Sequence, residues 1–440
     1  MRILVVGSGA REHAILRALA KEKSDVMHDL FVVGGNPGIW EIAEVAQLDG
    51  ANKPLDENDI QGIAKFTHIM KIELVIIGPE TPLDAGIVDM LQAENGSLLI
   101  FGPTKAAVKL ESSKIFAKEI MQAANIPTAR AWECSEVEEV QTILNELKET
   151  GSSHFVVKAD DLAAGKGVIV TENTENAIEH AEKYLVHGKK VLIEEYMEGP
   201  EFSLFFVCDG QKAVPLMPAQ DFKRIFDNDC GPNTGGMGSY TPLNWLPDGA
   251  VQWATENIAT PVLHEMKKRG TSFVGILFAG LMYTKTGIKV VEFNVRFGDP
   301  ETQVILEALK TPLSKITALA AKGELEKLPK LKWSDEYFCN IVLASAHYPE
   351  SSSKGDVIKG ISQAEAKGAV VLHAGTAFTG ADIGQLVTNG GRVLSILAHG
   401  KTLEVARDKA YKYAMMITFQ GVQMRGDIAL KAVNGEISVH

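Results

Sequence analysis

Val290-Val291-Glu292-Phe293-Asn294-Val295-Arg296-Phe297-Gly298-Asp299-Pro300-Glu301 sorts itself into two chemistries, because successive side chains of a strand alternate between its faces. Val291, Phe293, Val295 and Phe297 fall on one face, and Glu292, Asn294 and Arg296 on the other. A carboxylate, an amide oxygen and a guanidinium in a row, backed by apolar side chains, suit a hard cation and the phosphate oxygens it bridges. The stretch therefore predicts the wall of a metal-nucleotide site, although the same alternation also describes an ordinary half-exposed strand. Asp299-Pro300-Glu301 predicts the turn into a helix, with Pro300 at an early helical position and Glu301 in the first turn.

Outward from this strand, Thr286-Gly287 predicts the hairpin that feeds it and Asp209-Gly210 a second hairpin, together building a mainly antiparallel sheet. Upstream, residues 154–158, 168–171 and 191–196 read as strands of a smaller sheet. The first two are bridged by Ala159-Asp160-Asp161-Leu162-Ala163-Ala164-Gly165-Lys166-Gly167, and a small sheet with a glycine-rich loop suggests a lid. Ser135 with Glu138 predicts a capping box opening a helix to about residue 149, and residues 104–124 read as one long helix.

The first hundred residues alternate apolar strands (3–6, 30–33, 74–77 and 98–101) with helical segments, the rhythm of an open parallel α/β sheet. Three strands run into Gly7-Ser8-Gly9, Gly34-Gly35-Asn36-Pro37-Gly38 and Gly78-Pro79-Glu80, and ligands collect at such carboxyl ends. Residues 325–330 form a candidate linker, after which strands at 338–344, 369–373 and 392–398 and an amphipathic helix at 402–416 predict a last small α/β unit.

The chain has 440 residues, 45% of them hydrophobic and 23% charged, so two to four globular domains are expected. A net charge of −12 argues against a generic nucleic-acid or acidic-membrane surface, so an anionic substrate needs a local basic pocket. No apolar run reaches the roughly 18 to 20 residues of a spanning helix, and no signal peptide is visible, so a cytoplasmic protein is expected. Cys134, Cys208, Cys230 and Cys339 lie far apart, without a CxxC pair or a histidine cluster, and predict reduced thiols with no zinc site.

Gly7-Ser8-Gly9-Ala10-Arg11-Glu12 invites a dinucleotide reading, but Glu12 stands where the third glycine belongs and would crowd the helix against the sheet. What survives is a helix N-terminus open to a phosphate or carboxylate, with Arg11 adding charge; a simple tight turn explains it equally well. Lys158 lies between valines and the glycine loop, where a phosphate would explain it; the loop lacks a Walker A ending, and a Gly-Lys-Gly turn alone is usually a hairpin. Glu194-Glu195-Tyr196-Met197 ends an apolar strand that could meet a base edge, with Glu201 placed for ribose hydroxyls, or could be merely a solvated strand end. Residues 220–238 form a long polar tract without periodicity, resembling a substrate loop more than a linker; in a disordered insertion Asp221, Lys223 and Arg224 would be solvated charges.

Taken together the residues resemble the ATP-grasp ligases, and within them the glycinamide ribonucleotide synthetase family, over nearly the whole chain. The resemblance rests on Gly7-Ser8-Gly9-Ala10-Arg11-Glu12-His13-Ala14, Gly78-Pro79-Glu80 with Pro82-Leu83, Phe101-Gly102-Pro103-Thr104 and Glu111-Ser112-Ser113-Lys114. It continues through Lys158-Ala159-Asp160, residues 162–168, 231–238 and 292–303, and His373-Ala374-Gly375-Thr376 with residues 388–393. It implies an N-terminal Rossmann-like domain over 1–103, an ATP-grasp domain over 104–328 with a lid at about 125–195, and a C-terminal α/β domain over 329–440.

The implied reaction phosphorylates the glycine carboxylate with ATP, after which 5-phosphoribosylamine attacks the glycyl phosphate, a step of purine synthesis. By the family pattern Glu292 and Asn294 hold Mg²⁺ or Mn²⁺, and Arg296, Asp221 and Lys223 act at the reacting groups. Lys114, Lys158 and the loop Gly165-Lys166-Gly167 hold ATP phosphates, while Glu194, Glu195, Tyr196 and Met197 face adenine and Glu201 the ribose. Gly9, Arg11, Glu80, Asn233, Thr234, Gly235 and Gly236 are candidates for glycine and phosphoribosylamine, and a monomer acting on small molecules is expected. Asp161 replaces a usual glycine, Phe222 a usual histidine, and Pro200 and Phe202 an acid and a small residue. None removes a metal ligand; Asp161 is expected to stiffen the glycine loop. Rivals are another ATP-grasp carboxylate ligase, a non-catalytic nucleotide sensor and a nicotinamide oxidoreductase; the residue 231–238 loop, the phosphoryl-transfer set and Glu12 respectively weigh against them.

Overall fold

Apolar runs that are buried on both faces form parallel strands, and here they pair in the order Glu44–Val45, Asp29–Val33, Arg2–Val6, Leu74–Ile77, Leu99–Phe101. The computed structural model describes residues 1–22, 27–48, 53–161, 167–380 and 384–439. Among them, no helix is long and apolar enough to cross a membrane.

The large antiparallel sheet runs Ala213–Pro215, Glu201–Asp209, Val274–Thr284, Gly287–Asn294, with both expected hairpins present. A smaller sheet, Ala131–Cys134, Val191–Glu195, Phe155–Ala159, Val168–Thr171, carries the helices Val137–Glu149 and Thr174–Leu185. It has its own core of Cys134, Val140, Leu144, Val157 and Ile193, so it packs as a unit and joins the large sheet at the bridge between Thr128 and Val290. The last sheet runs Gln220–Asp221, Gly238–Thr241, Tyr337–Ala344, Arg392–Gly400, Val370–His373, against the helix Leu403–Ala414.

Several local expectations need correction. Gly280 pairs with Glu292 but Leu281 with Val290, so Val291 is the extra residue of a β-bulge and leaves the buried face that Phe293 and Val295 share. The long helix expected over 104–124 is two, Lys105–Ser112 and Lys114–Ala123, because Ser113 is extended and its hydroxyl accepts the Phe116 N–H at 3.1 Å. The capping box of Val137–Glu149 is Glu136 with Glu139, one residue beyond the expected pair, since Glu139 accepts the N–H groups of Ser135 and Glu136. Residues 220–238 are no aperiodic loop: Arg224–Phe226 and Cys230–Asn233 make a hairpin between strands of the last sheet. In the expected linker, Leu325 is buried and donates its N–H to Asp209 at 2.9 Å. Pro300 is the N-cap of Glu301–Ala308, just outside the helix.

Candidate active site

The bulge decides what the metal-wall strand offers. With Val291 pushed out of register, its carbonyl accepts the Lys158 ammonium at 3.0 Å, bringing this lysine within electrostatic reach of Glu292. Lys158 also pairs with Glu194 at 2.8 Å. The other oxygen of Glu194 lies 3.2 Å from Lys118, a residue the sequence reading passed over although it follows Lys114 by one helical turn. Lys114 donates to the Asp161 carbonyl at 2.9 Å, at the entrance to the glycine loop. Burial alone would raise the Glu292 carboxyl, but Lys223, Lys158, Lys114 and Arg296 outweigh it and hold it below the usual range. The strand's carboxylate therefore lies within electrostatic reach of four cations, a set fit for a polyphosphate.

Of the lid loop, Gly165 and Lys166 lie outside the described residues, while the Gly167 carbonyl accepts the Ala159 N–H at 2.8 Å. Asp161 turns its carboxylate to Lys189. Along the strand end, Glu195 pairs with Arg130 at 3.5 Å, Tyr196 stacks on His154 with ring centroids 4.4 Å apart, and Met197 is half-buried. Phe202 is buried edge-on to Trp245, which explains the large residue there.

Asp221, Lys223, Glu201 and Glu301 form a second cluster. Lys223 donates to Glu201 at 2.8 Å, so the ribose candidate is paired with a lysine. Burial pushes the Asp221 carboxyl up to about 7, reinforced by Glu301, Glu201 and Glu292 against the opposing pull of Lys223. Glu301 accepts the Ser203 hydroxyl at 2.8 Å, and burial pushes it up as well. Asp299-Pro300-Glu301 does start a helix, yet Glu301 faces this cluster; helix-start chemistry masked that in the sequence.

Arg296 meets Glu80 at 3.1 Å and Glu111 at 3.3 Å, and Glu111 also accepts the Val295 N–H at 2.7 Å. Burial disfavours the Arg296 charge, but Glu111 and Glu80 outweigh it and keep the guanidinium firmly protonated. Arg11 donates to the Phe297 carbonyl at 3.1 Å and pairs with Glu12, whose other oxygen accepts the Gly9 N–H at 2.7 Å. Glu12 thus fills part of the anion site expected at this helix N-terminus. It fits because Gly78 has no side chain: a Cβ there would lie 2.0 Å from the Glu12 carboxylate. The third-glycine position is crowded, as the sequence suggests, and the missing Cβ on the neighbouring strand end relieves the crowding.

Asn233, Thr234, Gly235 and Gly236 lie at the open end of the hairpin beside Lys223, whose carbonyl accepts the Thr234 N–H at 2.7 Å. The last sheet holds them from outside: Tyr348 accepts the Gly235 N–H at 2.9 Å, and Arg392 donates to the carbonyls of Gly235 at 2.6 Å and Asp299 at 2.8 Å. Tyr348 did not stand out in the sequence, and Arg392 did so only as part of the 388–393 stretch, with no role, since their partners are 93 to 157 positions away. Phe222 lies under the Arg425 guanidinium, 5.0 Å from ring centre to Cζ.

Among the described residues no group of three or more His, Cys, Asp or Glu could hold a metal ion. The donor set at the wall is one carboxylate and one amide oxygen, the Asn294 oxygen accepting from Arg296 at 3.4 Å. That set fits a cation that keeps water and takes its remaining oxygens from phosphate.

A large antiparallel sheet and a smaller sheet joined to it by a lysine, with further cations acting on one buried carboxylate, are the marks of an ATP-grasp ligase. The sequence matches the family models Phosphoribosylglycinamide synthetase, ATP-grasp (A) domain, over residues 112–302, N domain over 1–111, and C domain over 338–431. The chain belongs to the phosphoribosylglycinamide synthetase family. Relatives include the phosphoribosylamine–glycine ligases of Leifsonia xyli subsp. xyli, 46% identical over 98% of this chain and 100% of that protein, and Streptomyces coelicolor, 44% identical over 98% and 99%. The crystal structure of the phosphoribosylamine–glycine ligase from Thermotoga maritima superposes with a TM-score of 0.81 at 32% identity, covering 98% of this chain and 100% of that one. The biotin carboxylase domain of 2-oxoglutarate carboxylase from Hydrogenobacter thermophilus, solved with MgADP and bicarbonate, shares the fold with a TM-score of 0.69 at 18% identity, covering 96% and 91%.

Proposed function

We propose that this enzyme joins glycine to 5-phosphoribosylamine at the expense of ATP, through glycyl phosphate, giving glycinamide ribonucleotide, ADP and phosphate. The observation that carries the reading is the set of Lys114, Lys158, Lys223 and Arg296, whose charges outweigh burial and hold the Glu292 carboxyl below its usual range, a set that suits phosphoryl transfer rather than nucleotide binding alone. The full-length relatives that bear the ligase name support the choice of substrates.

Glycine is a poor electrophile until its carboxylate oxygen takes the γ-phosphoryl group and ADP leaves. Lys114 and Lys158 hold the phosphates, Lys158 exchanging Glu194 and the Val291 carbonyl for phosphate oxygens. Glu292 and Asn294 would hold Mg²⁺ or Mn²⁺, which neutralises charge on the transferring group. Glu194, Glu195, Tyr196 and Met197 take the adenine edge, and Glu201 the ribose. Gly9, Arg11, Glu80, Asn233, Thr234, Gly235 and Gly236 receive glycine and the phosphoribosylamine. Its amine nitrogen then attacks the glycyl carbonyl, the carbon–oxygen bond to phosphate breaks, and Asp221 takes the amine proton while Arg296 and Lys223 steady the departing phosphate. An aspartate with a pKa near 7 suits that base.

The test is ADP release with each substrate omitted in turn. The reading expects turnover only with glycine and 5-phosphoribosylamine together; equal release with formate or bicarbonate, indifferent to glycine, overturns it. The enzyme is placed in the cytoplasm as a monomer working on small molecules, in keeping with a net charge of −12 that disfavours nucleic acid.

A further inference from the structure

Glu194 is only 3% exposed, and a carboxylate that deep needs a partner in every state of the catalytic cycle. Two lysines serve it, one on each oxygen: Lys158 at 2.8 Å and Lys118 at 3.2 Å. Their other contacts differ in kind. Lys118 uses its remaining ammonium protons on the Thr128 hydroxyl and the Ala129 carbonyl, both at 2.9 Å, so its three donors are committed to protein. Thr128 is itself fixed, its hydroxyl donating to the Val290 carbonyl at 2.7 Å beside the bulge. Lys158 donates instead to the Val291 carbonyl at 3.0 Å on the wall strand and, in the proposed function, moves to phosphate when nucleotide enters. Glu194 then keeps one partner, and that partner is anchored to the large sheet.

We propose that Lys118 is the positioning residue for base selection: it keeps the Glu194 carboxylate paired and aimed at the base edge after Lys158 has moved to the phosphates. The inference rests on the reading that the residue 194–197 strand end meets adenine. A fixed carboxylate there accepts from the exocyclic amine of adenine and repels the O6 carbonyl of guanine, so Lys118 sets selection of ATP over GTP without touching either. Without it, Glu194 has Lys158 as its remaining lysine partner and holds it back from phosphate.

The experiment is steady-state kinetics of the full-length enzyme with ATP and with GTP, for wild type, Lys118→Met, Lys118→Arg and Thr128→Val, with melting curves as a folding control. Lys118→Met is expected to raise the KM for ATP about tenfold or more, the loss typical of a hydrogen bond to a charged group, while kcat changes little. The ratio of kcat/KM for ATP over GTP falls by about the same factor, since GTP gains nothing from the carboxylate. Lys118→Arg keeps most of the ratio, and Thr128→Val, which loosens Lys118 without removing its charge, lowers it by about threefold. A ratio within about twofold of wild type in Lys118→Met, or a fall confined to kcat, overturns the proposal. If Lys118→Met does not fold, Thr128→Val decides on the same criterion. Failure of glycine-dependent ADP release in the wild type would instead sink the ligase reading, and the Lys118 question would pass to calorimetric affinities for ATP and GTP.

Discussion

Asp221, the base of the proposed reaction, carries a stability cost. Its carboxyl rises from an ordinary 3.8 to about 7 because burial, with Glu301, Glu201 and Glu292 nearby, penalises the charge. The folded state therefore holds this proton more tightly than the unfolded chain, and folding loses stability as pH rises from about 4 towards 7. Asp221→Asn should raise the melting temperature at pH 8 relative to wild type while cutting kcat by about 10² to 10⁴ and flattening the acidic limb of the rate profile near pH 7. A variant that melts lower at pH 8, or keeps that limb, removes the base role. Glu292 is shifted the other way, held ionised by Lys223, Lys158, Lys114 and Arg296 against burial. Glu292→Ala should remain folded and lose at least about a hundredfold in turnover at limiting Mg²⁺; full rate under those conditions would end its assignment as a ligand.

The two elements that aim the lysines are both interruptions. Ser113 breaks what would be one helix, caps the second, and donates its hydroxyl to Asp160 at 3.1 Å, so Lys114 opens a helix facing the lid instead of continuing an old one. Ser113→Ala should cost about 1 kcal/mol in urea unfolding and raise the KM for ATP, because the cap and the Asp160 contact go together. An unchanged KM would confine Ser113 to stability. The bulge at Val291 is the other interruption, and it turns a backbone carbonyl to Lys158. Alternation made the strand and its polar face readable. A bulge arises between two strands, so the sequence of one strand could not disclose it.

Across the molecule, the last sheet reaches back into the candidate site. Gln220–Asp221 and Gly238–Thr241 pair within it, Arg392 and Tyr348 hold Gly235, and the His373 N–H meets His13 Nδ1 at 2.9 Å. Arg425, 1% exposed, ties the hairpin down through Asp229 at 2.9 Å, Asp427 at 2.7 Å and the face of Phe222. Arg425→Met should cost about 2 kcal/mol, discounted because Asp229 is half-exposed, and should raise the KM for the phosphoribosylamine more than that for ATP. Equal effects on both substrates would mean that it supports the fold alone.

Periodicity, glycine-ended strands and the Glu292-Asn294-Arg296 face are local properties, each resting on neighbouring residues, and so the parallel sheet, the antiparallel sheet and the identity of the wall strand could be read from the order of amino acids. The pairings that finish the site join distant positions: Lys118 with Glu194, Glu301 with Ser203, Glu111 with Arg296, and Arg392 with Gly235. Sequence spacing carries no signal for such contacts, because burial, bulge register and the approach of one sheet to another choose the partner. Only the folded chain could show that Glu12 replaces a glycine by using space at Gly78, and that the polar tract after Gln220 belongs to the last sheet.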